Sequence, residues 1–130
     1  MSSKAFSAFD LDLEFGQEGE ALVQELLTDG RTIEVKRDRK WKDTHNVYVE
    51  TECYFVGKQS WGLSGLSVTE AKYWAFVLEE AILLVPTDAL RYAIKEFGGY
   101  TECRIPPNYS KGYLLTVPQI LKSIKEYKGD

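Results

Sequence analysis

The chain has 130 residues, 44% of them hydrophobic and 28% charged, and a net charge of −4. This is the length of one domain, residues 1–130, able to bury roughly two-thirds of the surface an unfolded chain exposes. The composition excludes a membrane span, because no apolar run reaches ~18 residues, and Cys53 and Cys103 are too few for a disulfide scaffold and lack zinc-site spacing. Both cysteines are read as free thiols in a reducing compartment. The start, MSSKAFSAFD, lacks a basic segment followed by an apolar block, so no secretory signal is expected and the expected location is the cytoplasm.

The acidic total hides an uneven distribution. Before Arg31 the acids are Asp10, Asp12, Glu14, Glu18, Glu20, Glu25 and Asp29, against Lys4 alone. Arg31, Lys36, Arg37, Arg39, Lys40 and Lys42 then follow closely. A local basic patch of this kind can engage phosphates despite an acidic whole. A solvated hairpin would show the same charges.

In chain order, residues 8–15, AFDLDLEF, alternate Phe9, Leu11, Leu13 and Phe15 with acids, which predicts a half-buried strand or an extended arm. Residues 16–28 predict a helix with Leu22, Val23, Leu26 and Leu27 on one stripe. Glu20 borders that stripe, and Asp29-Gly30 ends the helix. Residues 32–38, TIEVKRD, and 46–54, NVYVETECY, read as two strands around the polar connection RKWKDTH. A short connection predicts antiparallel neighbours. Glu34, Lys36 and Asp38 then share one face of their strand, Glu50 and Glu52 share one face of theirs, and the two rows lie side by side on one side of the sheet. Carboxylates crowded this way repel each other unless a proton or cation sits among them, and hard oxygen ligands suit Mg²⁺ or Mn²⁺. The same alternation is what any half-solvated strand shows. Trp41 at the hairpin tip either grips a sugar-phosphate backbone or caps the core, and the lone His45 reads as a surface residue.

Residues 55–66 predict an irregular Gly- and Ser-rich connection, with Ser64-Gly65 suited to a close backbone approach. A second helix is expected to start near Ser67 or Thr69 and to carry Lys72 and Tyr73. Residues 74–85 predict strand, turn at Glu79-Glu80, and strand, with a single buried helix as the competitor. A helix follows from Thr87 or Asp88 as cap to about Phe97, ended by Gly98-Gly99. A strand and a Pro-Pro loop over 100–108, a short strand over 112–115, and a final helix opened by Thr116-Val117-Pro118 complete the chain.

The segment IEVK-x-D, the polar loop ending in Asn46, VYVE-x-E and SGLSVTEAKYW resemble the PD-(D/E)xK nuclease superfamily, most of all its small phage-encoded, Holliday-junction-resolvase-like members. The resemblance spans residues 9–78. It departs from the pattern at three points: no Pro precedes Asp38, E-x-K is replaced by Glu50-Thr51-Glu52, and His45 stands where such relatives tend to have Gly. The resemblance implies an α/β fold with a mixed central sheet flanked by helices, restriction-endonuclease-like αβββαβ with extra C-terminal elements. It implies Mg²⁺- or Mn²⁺-dependent hydrolysis of DNA. Glu20, Asp38 and Glu50 would be the metal ligands, and Lys36 or Glu52 would handle the attacking water. Arg37, Arg39, Lys40, Lys42 and Lys72 would hold the DNA backbone. A homodimer is the natural expectation for so small a nuclease, with branched DNA as the preferred substrate class. The rival expectation is a nuclease fold kept as a binding module without catalysis.

Overall fold

The computed structural model describes residues 3–28, 33–105 and 108–128, with side chains from residue 13 onward. The chain forms two compact units, Met1–Thr32 and Ile33–Asp130. The described residues of the first unit are one helix, α1 (Ser3–Thr28). The strand or arm expected over 8–15 is therefore helical. Its alternating residues also satisfy helical spacing, because Phe9 and Leu13, like Leu11 and Phe15, are four apart. The segment holds no β-branched residue to favour a strand. The expected stop at Asp29-Gly30 and the basic Arg31 lie outside the described residues.

The second unit runs β1 (Ile33–Arg37), a single helical turn α2 (Trp41–Thr44), β2 (Asn46–Phe55), β3 (Ser60–Leu63), β4 (Tyr73–Leu78), β5 (Ala81–Pro86), α3 (Thr87–Phe97), β6 (Gly99–Ile105), β7 (Asn108–Thr116) and α4 (Val117–Glu126). The protein is thus mixed α/β. Its strands form two sheets: a mixed one ordered β1-β4-β5 and an antiparallel one ordered β3-β2-β7-β6.

This topology corrects the central expectation of a β1–β2 hairpin. β1 pairs in parallel with β4, Ile33 opposite Tyr73 and Arg37 opposite Val77. β2 pairs instead with β3 and β7. The connection 38–45 does not reverse the chain within one sheet, because it contains α2. The half-buried Trp41 anchors this turn against the core, which bears out the capping role for that residue. The turn ends at His45, whose φ of 59° is left-handed. A residue with a Cβ pays steric energy there.

The true hairpin is β2–β3, which replaces the expected irregular connection over 55–66. Its turn is a short 3-10 segment, Val56–Lys58, closed by left-handed Gln59. The helix expected near Ser67 is also absent. Gly65–Ser67 is one 3-10 turn, after which the chain bends into β4. β4, the turn at Glu79-Glu80 and β5 stand as read from the sequence, with Trp74, Phe76 and Val85 buried. α3 ends before Gly98 as expected, but its cap position is Pro86 and no side chain caps it. The Thr87 hydroxyl donates to the Ala71 carbonyl at 2.6 Å instead. The Pro-Pro loop lies outside the described residues. α4 starts on a capping box: the Thr116 hydroxyl accepts from the Gln119 N–H, and the Gln119 side chain accepts from the Thr116 N–H. Pro118 fits here because first-turn N–H groups have no helical partner to lose.

Both sheets contribute to one core. Val47 and Val49 of β2 and Leu115 of β7 pack with Trp74 and Phe76 of β4, Leu90 of α3 and Ile120 of α4. α3 and α4 pack on each other, and both touch β5 and β7, so the helix pair ties the sheets together.

Candidate functional site

In β1 the apolar and charged faces are inverted. Val35 is 62% exposed, whereas the side chains of Glu34 and Lys36 are both at 42%. The register explains this. Glu34 pairs with Trp74 and Lys36 with Phe76, both fully enclosed, so the charged row lies on the core-facing side of its sheet. The Lys36 ammonium sits 5.4 Å from the centre of the Trp74 ring and 3.9 Å from Glu34. A half-buried charged row beside an exposed valine is the kind of arrangement that packing alone does not select.

Asp38 follows the end of β1. Its carboxylate accepts the Lys40 N–H at 2.8 Å, and its carbonyl accepts from Trp41. It therefore opens the α2 turn. Glu50 and Glu52 were expected on one face, but a register shift lies between them. Glu50 pairs with Gly112 and Glu52 with Lys111, which leaves Thr51 as the extra residue of a β-bulge. Successive residues of β7 point to opposite faces, so the bulge sends Glu50 and Glu52 to opposite faces too. The bulge depends on Gly112, because a Cβ there would overlap the Val49 carbonyl.

Each glutamate has its own partners. Glu50 accepts from the Ser64 hydroxyl at 2.8 Å, and the Ser64 N–H bonds the Thr51 carbonyl. Gly65, at a φ of +52°, lies so close that a Cβ would overlap the Glu50 carbonyl. The close approach expected at Ser64-Gly65 is thus made to the backbone of β2. Glu52 lies 3.9 Å from Lys111, whose ammonium also stands 4.2 Å over the Trp61 ring. Lys111 escaped the reading of the sequence because strand pairing alone brings it to Glu52. The same face continues to Glu102, in register with Lys111. Hydrogen bonds from Arg104 and Tyr100 hold the Glu102 carboxyl below the usual carboxylate range. On the opposite face Tyr48 bonds Ser110 at 2.7 Å. Burial pushes the Tyr48 phenol up, partly offset by that bond.

The basic residues named for DNA are all exposed. Arg37, Arg39, Lys40 and Lys42 cluster at the end of β1 and on α2. Lys72 does not join them. It precedes Tyr73, the partner of Ile33, and so sits at the other end of the β1–β4 pair, roughly 16 Å away at about 3.3 Å per residue. It lies on a bend and not on a helix.

Glu20 lies on α1, in the other unit. Among the described residues, no three Asp, Glu, His or Cys side chains are gathered as a metal site. Asp38 is engaged in a turn, and the bulge parts Glu50 from Glu52. A hollow of about 420 Å³ beside Trp41, His45 and Pro118 has no carboxylate in its lining.

The architecture defines a two-sheet α/β protein with four helices among its described residues. Compared with protein-family models, with curated proteins and with solved structures, the chain matches none. No helix among the described residues is long and apolar enough to cross a membrane.

Proposed function

We propose that the chain acts on DNA as a metal-dependent deoxyribonuclease of the PD-(D/E)xK kind, with a restriction-endonuclease-like core and branched DNA as its preferred substrate. One observation carries this reading. Ser64-Gly65 and Glu50, separate pieces of the nuclease-like motif, meet through a side-chain hydrogen bond and a backbone contact that only glycine allows. The inward charged row of β1, another piece of the motif, gives it further support. Of the two groups named for the water, Lys36 suits the role better, because Glu52 lies on the face opposite Glu50. Arg37, Arg39, Lys40 and Lys42 hold phosphates without reading sequence.

The bulge that sends Glu50 and Glu52 to opposite faces favours a second reading, a DNA- or protein-binding module without catalysis. One experiment divides the two. Supercoiled plasmid and a synthetic four-way junction are incubated with the protein, with and without Mn²⁺, beside Glu50→Gln. Nicking that needs Mn²⁺ and slows on the order of 100-fold in the variant supports the nuclease. Binding without cleavage, or cleavage indifferent to Glu50→Gln, sinks it.

A further inference from the structure

β6 is one edge of the antiparallel sheet. It pairs with β7 on one side and with no other strand among the described residues. An open edge is a template for another strand, and natural edges are often blunted by Pro, Lys or a bulge. β6 reads GYTECRI, and its pairing with β7 runs through without a shift. Two residues join Ile105 to its partner Asn108, so Ile105, Cys103 and Thr101 are the hydrogen-bonded members of that ladder. Tyr100, Glu102 and Arg104 then turn their backbone N–H and C=O groups to the open edge. The charges on this edge stand symmetrically about Cys103, an acid before it and a base after it.

We propose that two copies of this chain join through β6, edge to edge and antiparallel, about a two-fold axis at Cys103. In that register Glu102 faces Arg104 of the partner subunit, and Arg104 faces the partner's Glu102. These are the residues whose backbone groups are free, so each charge pair also closes ladder hydrogen bonds. An axis at Glu102 would oppose two acids, and one at Arg104 two bases, so charge selects the register. Within one chain Arg104 already bonds Glu102 at 2.6 Å, and the second copy closes a ring of two acids and two bases. Ile105, 56% exposed, meets the partner's Thr101. The Cys103 thiols come opposite each other in the close, non-hydrogen-bonded position. Four strands from each copy make one continuous sheet, an isologous contact that closes on itself. The proposal is independent of any action on DNA.

The test measures oligomeric state by light scattering over a concentration series. The wild type is expected to dimerise. Glu102→Arg and Arg104→Glu are each expected to weaken the dimer by on the order of tenfold, and the double exchange to restore it. In parallel, copper phenanthroline, which takes two electrons and two protons from two facing thiols, should cross-link the wild type and Cys53→Ser but not Cys103→Ser. A monomer at every concentration, a dimer indifferent to both charge exchanges, or a cross-link that depends on Cys53 overturns the proposal. The cross-link also decides the matter if a charge variant fails to fold.

Discussion

At the level of single residues, the positions most sensitive to change are those where backbone geometry admits little choice. Gly65 combines positive φ with contact against Glu50, so Gly65→Ala should lower stability by about 2–3 kcal/mol, read by urea denaturation. His45 is left-handed as well, but it is exposed and its ring lies 5.2 Å from that of Trp41. His45→Gly should therefore be close to neutral, while a branched Val at 45 should cost about 1–2 kcal/mol. Glu102 offers a check on electrostatics. Its carboxyl is held low chiefly by Arg104, so Arg104→Ala should move it back up in an NMR titration. A lowered carboxyl contributes stability above its unfolded value and loses it as pH falls through the folded one. This contribution is therefore complete at neutral pH and vanishes on acidification. The pair is exposed, which keeps the effect small.

At the level of elements, the start of α4 was among the most legible features. Thr116 with Gln119 three residues on, and Pro118 between them, is a local signal whose partners are neighbours in sequence. Thr116→Ala should cost about 1 kcal/mol in denaturant. The strand-turn-strand at Glu79-Glu80 was equally legible, because aromatic and β-branched residues flank a polar pair. Strand partners were not legible. Ile33–Arg37 and Asn46–Phe55 are strands where strands were read, yet they do not pair, because pairing depends on where α2 sends the chain and on which edges remain open. The bulge at Thr51 was equally hidden. Nothing in VYVETECY marks it, and the strand it faces, where Gly112 packs against the Val49 carbonyl, comes from much later in the chain. That one extra residue separates Glu50 from Glu52 and brings Glu52 to Lys111.

At the level of the whole molecule, the shared core makes the two sheets of the second unit one cooperative body. Leu90 is fully buried between them. Leu90→Ala should cost about 3 kcal/mol and lower the denaturation midpoint of both sheets together, with near- and far-ultraviolet circular dichroism coincident. Separate transitions would show that the sheets do not depend on one core.

The amino-acid sequence alone determined which segments are helix or strand in most of the second unit, where α3 ends and where α4 begins, and which residues carry the charges of β1 and α2. These are local properties, decided by spacing, caps and turn chemistry within a few residues. The tertiary structure alone decided that the strands divide between two sheets, that the charged row of β1 faces inward, and that Glu50 and Glu52 take opposite faces. Those outcomes depend on pairings between distant segments, and a single-residue shift in such a pairing turns a side chain to the other face of its sheet.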